Sequence, residues 1–202
     1  MIKNVVFDFG QVLVHFEPEY MTSRYVSDEE DIRLVSGVVF DRLYWDRLDA
    51  GTISDAEVVS ESLKRLPERL WEAAEKVYYN WVYNIPEIDG MKNLLGYIRE
   101  KYGVKTYLLS NISHYFADHS DEISILDGFD GCIFSSRCGL SKPDKRIFEH
   151  ICKTYGILPE ETAFVDDNEG NVKAAEEMGI KTYLFKKDAR CLKEWFDSVL
   201  PE

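Results

Sequence analysis

Five short runs of β-branched, aromatic and leucine residues alternate with helical patterns along most of this chain, and this alternation limits the folds open to it. Runs that are apolar on both faces are typical of central strands in a parallel sheet. Strand and helix in succession predict right-handed crossovers, with helices on both faces of the sheet. We therefore expect an α/β fold. Its predicted strands are Asn4–Asp8, Lys105–Ser110, Gly131–Ser135, Thr162–Asp166 and Lys181–Phe185.

Prolines and glycines mark the ends of the helices between these runs. Pro86 and Pro143 precede apolar residues at helical spacing, as expected near a first helical turn. Gly103 and Gly156 follow the last apolar residue of each pattern, where glycine commonly ends a helix. A third helix is predicted from about residue 168 to residue 178.

Residues 17–84 interrupt the alternation directly after the first run, because they carry only helical patterns. Ser54 and Glu57 in this segment have the Ser-x-x-Glu spacing of a helix capping box. The segment is therefore predicted to be a small all-helical insertion. Residues 1–16 and 85–202 then form one core domain, and residues 17–84 form a second domain.

The composition limits the partners that this protein can have. A net charge of −13 without a local cluster of Lys or Arg disfavours nucleic acid and anionic lipid. No apolar window is long enough to span a membrane, and the apolar start of the chain is too short for a signal peptide. The four cysteines show no CxxC spacing, so we expect reduced and mostly buried thiols. We thus expect a cytoplasmic protein whose small anionic ligand is held at a local, metal-assisted site.

Polar residues stand where the predicted strands end. The carboxyl ends of parallel strands meet at one edge of a sheet, and open α/β sheets bind ligands at that edge. Three carboxylates, a hydroxyl, an amide and an ammonium are expected to converge there. They belong to Asp8, Asp166, Asp167, Ser110, Asn111 and Lys142.

These residue types indicate metal-assisted phosphoryl chemistry. Three carboxylates at close quarters repel one another unless a cation lies among them, and hard oxygen ligands select Mg²⁺. When a phosphate oxygen is bound to the metal, a carboxylate oxygen of Asp8 can attack phosphorus in line. Lys142 and the hydroxyl of Ser110 are suited to stabilise the charge that spreads over the equatorial oxygens.

Four segments of the chain resemble, in order and spacing, the four motifs of the haloacid dehalogenase superfamily. The segments are Val6–Leu13, Tyr107–Asn111, Ser141–Pro143, and Ala163–Asp167 followed by Asn171. The resemblance implies a three-layered, Rossmann-like core and a helical cap, formed by residues 17–84, that closes over the site.

The same resemblance implies roles for individual residues. Asp8 would be the nucleophile that forms an aspartyl-phosphate intermediate, and Lys142 would be a catalytic and substrate-binding residue. Ser110 and Asn111 would also bind the substrate. One Mg²⁺ would be held by Asp8, the backbone carbonyl of Gly10, Asp167 and Asp166, and Asn171 would orient a metal-bound water or simply be a solvated helix residue.

The first motif reads Phe7-Asp8-Phe9-Gly10-Gln11-Val12 and resembles one subgroup of the superfamily most. This capped subgroup, within subfamily IA, includes bacterial α-D-glucose-1-phosphate phosphatases and is similar to the amino-terminal phosphatase domain of soluble epoxide hydrolases. The resemblance implies a phosphatase for a small phosphorylated metabolite, such as a sugar phosphate. Gly10 departs from most phosphatases of the superfamily, which carry a second aspartate there as general acid and base.

The glycine leaves the proton donor and other functions open. A positioned acid or base contributes about 10²–10⁴-fold to a rate, so either another group substitutes or turnover is slow. His15 is one candidate, although a histidine in such a place is more often structural. A protein that binds a phosphorylated ligand without turnover, a haloacid dehalogenase and a sugar phosphomutase are the alternative functions. The sequence is compatible with a monomer or a homodimer.

Two residues of the helical insertion, Trp45 and Arg47, are also potential contacts of the substrate. Core packing is the simpler expectation for Trp45, because most buried tryptophans serve that purpose. A surface ion pair is the simpler expectation for Arg47.

Overall fold

The computed structural model describes residues 1–200, and at its centre lies a sheet of five parallel strands. The strands are β1 (Asn4–Phe7), β2 (Lys105–Ser110), β3 (Gly131–Phe134), β4 (Thr162–Asp166) and β5 (Lys181–Leu184). Their order across the sheet is β3-β2-β1-β4-β5. The predicted α/β fold is confirmed, and each predicted strand is found with ends that differ by one residue at most.

Eleven α-helices lie within residues 1–200. The predicted helices of the core are found at residues 91–102, 145–155 and 169–176, and Gly103 and Gly156 end the first two in the left-handed conformation. The helices are α1 (Pro18–Ser23), α2 (Glu29–Val39), α3 (Trp45–Asp49), α4 (Asp55–Leu63), α5 (Trp71–Asn80), α6 (Met91–Tyr102), α7 (His114–Asp118), α8 (Ser135–Cys138), α9 (Lys145–Tyr155), α10 (Glu169–Glu176) and α11 (Ala189–Val199).

Alternate residues of the central strand face two apolar layers. Val5 and Phe7 of β1 pack in a cluster with residues of α6 and α11. Val6 faces the opposite side and packs in a cluster with residues of α9 and α10. Because successive side chains of a strand point to opposite faces, helices cover the sheet on both sides, as predicted.

Residues 17–84, here called the cap segment, contain α1 to α5 and no strand. Their buried apolar residues, from Val26 to Tyr78, form a cluster separate from the two layers on the sheet. The predicted capping box is present, because Ser54 Oγ accepts from the backbone N–H of Glu57 at 3.2 Å and Glu57 accepts from the backbone N–H of Ser54 at 3.1 Å. The separate cluster supports the division into a core domain and a cap domain, which stays a prediction.

Two further expectations concern the membrane and the thiols. None of the helices in residues 1–200 combines the length and the apolar character needed to cross a bilayer. All four cysteines are free thiols, but the expectation that most are buried is wrong, because Cys132, Cys138 and Cys152 are half-buried and Cys191 is exposed.

Candidate active site

The polar residues that follow the strands converge at one edge of the sheet. Asp8 follows β1 directly, and its backbone N–H donates to the carbonyl of Val165 at 3.0 Å. Ser110 ends β2 and Asp166 ends β4, and these strands lie on either side of β1. The parallel register therefore brings Asp8, Ser110 and Asp166 to the same edge, as the order of the motifs predicts.

The ammonium of Lys142 lies between two of the carboxylates. Its Nζ is 2.7 Å from Oδ1 of Asp8 and 2.8 Å from Oδ2 of Asp166. The side chain of Lys142 is 1% exposed, that of Asp166 is 0% exposed and that of Asp8 is 15% exposed. A buried ammonium requires such partners, because removing a charge from water is costly. Lys142 thus ties the partly open Asp8 to the fully buried Asp166.

The side chain of Asn111 holds the main chain that carries Lys142. Its Nδ2 donates to the carbonyl of Lys142 at 2.8 Å, and its Oδ1 accepts from the backbone N–H of Lys142 at 2.8 Å. The sequence predicts that Asn111 binds substrate, whereas in the structure its amide is engaged in positioning the lysine. Ser110 is almost fully buried and lines the cavity described below, so its hydroxyl remains a candidate for contact with phosphate.

Both carboxylate oxygens of Asp166 accept hydrogen bonds from the protein. Oδ1 accepts from the backbone N–H of Asn168 at 2.8 Å and from Nδ2 of Asn171 at 3.0 Å. Oδ2 accepts from Lys142 and, at 3.0 Å, from the same amide of Asn171. These bonds occupy most of the acceptor capacity of Asp166, while Asp167 is more open. Asp167 is therefore the better placed of the two for a direct bond to a metal.

Three carboxylates at this edge fit a hard cation. One oxygen each of Asp8, Asp166 and Asp167 can be chosen so that all three lie within 4.8 Å of one another. A donor set made only of oxygen suits Mg²⁺ rather than softer metals. Gly10 lines the cavity beside them, and its backbone carbonyl, which does not depend on the side chain at that position, stays a predicted ligand. The residues thus fit the metal that the sequence predicts.

Crowding and burial change the pKa values of these groups. Burial raises the pKa of Asp8 from 3.8 to about 7, because the attraction of Lys142 does not offset burial and the repulsion of Asp166. Burial and the charge of Asp166 also raise the pKa of Asp167. Burial alone would lower the pKa of Lys142, but Asp166 and Asp8 hold it above its ordinary value. A cation among the carboxylates would favour their charged forms.

A cavity of about 760 Å³ opens in front of these residues, between the sheet and the cap segment. The sheet side of its wall includes Asp8, Gly10, Ser110, Lys142 and Asp167. The opposite side mixes aromatic and charged residues of the cap segment, and the volume exceeds that of a phosphate group many times over. The cap residues in the wall include Phe40, Arg42, Trp45, Asp46, Leu48, Asp49, Asp55, Tyr78 and Trp81.

The structure corrects the interpretation of one cap residue. Trp45 lines the cavity and is only half buried, with its ring 5.5 Å from that of Phe16 and the guanidinium of Arg42 5.3 Å from its centroid. The expectation of core packing is therefore wrong for Trp45. His15 and Arg47 lie outside the cavity wall, and the backbone N–H of His15 donates to the carbonyl of Pro86 at 2.8 Å.

Sequence reasoning also overlooks Asp49, which lies in the cavity wall at the end of α3. The cap segment contains many acidic residues, and nothing in their spacing distinguishes this one. Its position two residues before Gly51, at the point where the helix turns toward the core, is the one local signal that sets it apart.

Comparison with known proteins agrees with this geometry. The sequence model of the haloacid dehalogenase-like hydrolases matches residues 2–179. This chain belongs to that family. The predicted family and the prediction of a hydrolase are therefore confirmed, since the match covers all four motifs.

Relatives of this haloacid dehalogenase-like hydrolase match almost its whole length. The D-ribitol-5-phosphate phosphatase of Bacteroides thetaiotaomicron is 27% identical over 197 residues, which cover 91% of each chain. A sesquiterpene phosphatase of Aspergillus oryzae is 26% identical over 196 residues, covering 95% of this hydrolase and 94% of that protein.

A solved structure shows the same fold in the presence of ligands. It is a haloacid dehalogenase-family enzyme from Bacteroides thetaiotaomicron in complex with magnesium and inorganic phosphate. It is 26% identical to this hydrolase and superposes with a TM-score of 0.69, covering 93% of this chain and 96% of that one. The similarity confirms the Rossmann-like core that the motifs imply.

Proposed function

We propose that this hydrolase is a Mg²⁺-dependent phosphatase that transfers a phosphoryl group first to Asp8 and then to water. The arrangement around Lys142 carries the proposal. Its ammonium contacts Asp8 and Asp166, and a carboxylate oxygen of Asp167 lies within 4.8 Å of theirs. A nucleophile, a cation and an oxygen-lined metal site are the parts that phosphoryl transfer needs. The phosphatases among the relatives support the same reaction.

Each half of the proposed reaction uses residues at the sheet edge. One oxygen of Asp8 pairs with Lys142, and the other attacks phosphorus while the bond from phosphorus to the alcohol oxygen breaks. Lys142 and the Ser110 hydroxyl stabilise the charge on the equatorial oxygens. Water then attacks phosphorus, releases phosphate and restores the carboxylate of Asp8.

The metal has a supporting role in this scheme. Mg²⁺ bound to Asp8, Asp167 and the carbonyl of Gly10 would neutralise charge on the phosphate. Asp166, whose oxygens already accept hydrogen bonds, would bind it through water or hold Lys142 and Asn171 in place.

The substrate in this proposal is a small sugar phosphate or sugar-alcohol phosphate, such as glucose 1-phosphate or ribitol 5-phosphate. Aromatic rings such as that of Trp45 pack on the apolar faces of a sugar, and charged groups such as Arg42 and Asp46 bond to its hydroxyls. A purely apolar alcohol would cover those charged groups without providing partners, which costs free energy. The relative that acts on D-ribitol 5-phosphate supports this class.

Phosphate release tests the proposal. Wild type with Mg²⁺ is expected to hydrolyse p-nitrophenyl phosphate and members of a panel that contains glucose 1-phosphate, ribitol 5-phosphate and farnesyl phosphate. Asp8→Asn is expected to be inactive but folded, as judged by its thermal melt, and a chelator is expected to stop the wild type.

Other outcomes decide against specific parts of the proposal. Full activity of Asp8→Asn would refute the nucleophile, and phosphate release in the presence of a chelator would refute the dependence on Mg²⁺. Halide release from a 2-haloacid in the presence of a chelator would favour the dehalogenase alternative. Thermal stabilisation by phosphorylated ligands without phosphate release over hours would identify a binding protein. A preference for farnesyl phosphate would overturn the sugar assignment and leave the mechanism intact.

A further inference from the structure

Position 10 leaves the proposed reaction without an acid at the place where most related phosphatases carry one. The backbone of Gly10 is not in the left-handed region, and a Cβ added there would meet nothing within 4 Å. Neither strain nor crowding therefore requires glycine. None of the side chains in residues 1–200 occupies the space beside it either, so the proton for the leaving alcohol must come from elsewhere in the cavity.

Most carboxylates in the cavity wall are already engaged. Asp8 is the proposed nucleophile, and Asp167 is a proposed ligand of the metal. Asp55 accepts from the hydroxyl of Tyr78 at 2.9 Å with one oxygen, and from the backbone N–H of Tyr115 at 3.1 Å with the other. Asp55 thus joins the cap segment to the core, and both of its carboxylate oxygens are engaged as acceptors.

Asp49 is the half-buried carboxyl that remains. Burial and, to a lesser extent, the charge of Asp46 raise the pKa of Asp49 to about 6, against the attraction of Arg42 and Lys142. Within residues 1–200 no donor hydrogen-bonds to its carboxylate, which lines the cavity and is therefore available to a ligand. Asp46, on the same helix, is exposed to solvent. A carboxyl with a pKa near the working pH is suited to both donating and accepting a proton.

The turn after α3 holds this end of the helix, with Asp49 in the cavity wall, against the core. The helix ends with Asp49, and the backbone N–H of Thr52 donates to the carbonyl of Arg47 at 2.8 Å, which closes the helix end. Gly51 has a φ of +67°, and a Cβ there would lie 2.6 Å from the carbonyl oxygen of Ser136. The turn is thus packed against the core without room for a side chain.

We propose that Asp49 is the general acid of the first step and the general base of the second. This inference rests on the proposed phosphatase function. As the bond from phosphorus to the alcohol oxygen breaks, the proton of the Asp49 carboxyl moves to that oxygen and Asp49 becomes a carboxylate. Water then enters the position left by the alcohol, attacks the phosphorus bound to Asp8 and gives a proton to Asp49. The bond from phosphorus to Asp8 breaks, and both aspartates return to their first state.

The test compares two leaving groups in Asp49→Asn. p-Nitrophenolate is a stable anion and leaves without being protonated. The alcohol oxygen of a primary-alcohol ester such as ribitol 5-phosphate must instead receive a proton as it leaves. Release of the alcohol from the best primary-alcohol ester of the panel should slow by about 10²–10⁴-fold. Rapid mixing with p-nitrophenyl phosphate should still give a burst of p-nitrophenolate, within about threefold of the wild-type rate, followed by slow turnover because water lacks its base.

Two further variants keep the test decisive if Asp49→Asn is impaired for other reasons. Arg47→Gln removes a charge from the same helix at an exposed residue outside the cavity wall, and the ratio of its rates on the two esters should equal that of wild type. Gly10→Asp in the Asp49→Asn background should recover activity on the primary-alcohol ester, because the open space at position 10 admits the acid.

Different contrary results would overturn the role of Asp49 and the phosphatase function. Equal losses on both esters without a burst, or a rise in KM with kcat unchanged, would overturn the inference. A wild-type protein that forms no phosphoenzyme and releases no phosphate would instead overturn the phosphatase function itself.

Discussion

Lys142 and Asp166 form a buried ion pair, with Nζ 2.8 Å from Oδ2 and side chains that are 1% and 0% exposed. Asp8 lies on the other side of the ammonium at 2.7 Å, so one cation serves two carboxylates. When one member of a buried pair is removed, the charge of the other remains in a medium of low dielectric constant. When both are removed, most of that penalty disappears. The effects on stability of replacing Lys142 and of replacing Asp166 are therefore not expected to be additive.

Lys142→Met is expected to lower the free energy of unfolding of the metal-free protein by about 3–5 kcal/mol. The double variant Lys142→Met/Asp166→Asn should lose less than the sum of the two single losses, because no uncompensated charge remains at position 166. Urea denaturation of the four proteins measures this coupling. Additive losses would contradict the role of the pair in the fold.

Much of the sheet edge is predictable from the sequence. The strands are apolar on both faces and short, so their ends are visible, and a parallel order then brings Asp8, Ser110 and Asp166 together. The engagement of Asn111 is not predictable in the same way. Whether its amide faces a ligand or the main chain of Lys142 depends on how two segments far apart in the sequence approach each other.

The cap side of the site is less predictable for the same reason. Trp45 has the same sequence signature whether it fills a core or lines a cavity, and only the placement of α3 decides between them. The environment of Asp49 likewise arises from tertiary packing, because Lys142 and the fold around α3 set its burial and charge. Short helices carry too few residues for a pattern that would reveal which face is covered.

The pKa of Asp8 predicts how the stability of the metal-free protein varies with pH. The carboxyl binds a proton more tightly in the folded state, where its pKa is about 7, than at its ordinary value of 3.8. The folded state thus holds more protons between these values, so this contribution to the free energy of unfolding falls as pH rises from about 4 to about 7.

Asp8→Asn lacks this contribution. Its stability relative to wild type should therefore rise over the same pH window, measured by urea denaturation at several pH values in the presence of a chelator. A difference between variant and wild type that stays constant with pH would show that the pKa of Asp8 is not raised.

Mg²⁺ binding should depend on pH in the opposite sense. The ligand carboxylates must be deprotonated to bind, so the apparent affinity should rise by up to about tenfold per pH unit below the pKa of Asp8 and level off above it. Calorimetry in buffers of different ionisation enthalpy should detect the released protons. Asp167→Asn should weaken binding strongly. Asp144→Asn, at the N-cap of α9, should leave it unchanged.

Gly51 and Gly37 offer a matched pair of glycines in the cap segment. Gly51 has a φ of +67°, and a Cβ there would lie 2.6 Å from the carbonyl oxygen of Ser136 and 2.8 Å from Nε2 of His114. Gly37 lies on the exposed side of α2 with nothing within 4 Å of such a Cβ. At position 51 both the left-handed backbone and the close contact with Ser136 disfavour alanine. At position 37 neither does, and alanine is favoured in a helix.

Gly51→Ala is expected to destabilise the protein by at least about 1 kcal/mol and to lower turnover, because the turn that carries Asp49 must move away from the core. Gly37→Ala should stabilise it by about 0.5–1 kcal/mol with turnover unchanged, since a helix interior prefers alanine to glycine. Thermal melts and kcat for the two variants separate these effects. Full turnover of Gly51→Ala on a primary-alcohol ester would contradict this prediction. It would show that the contact between Gly51 and Ser136 is not needed to position Asp49.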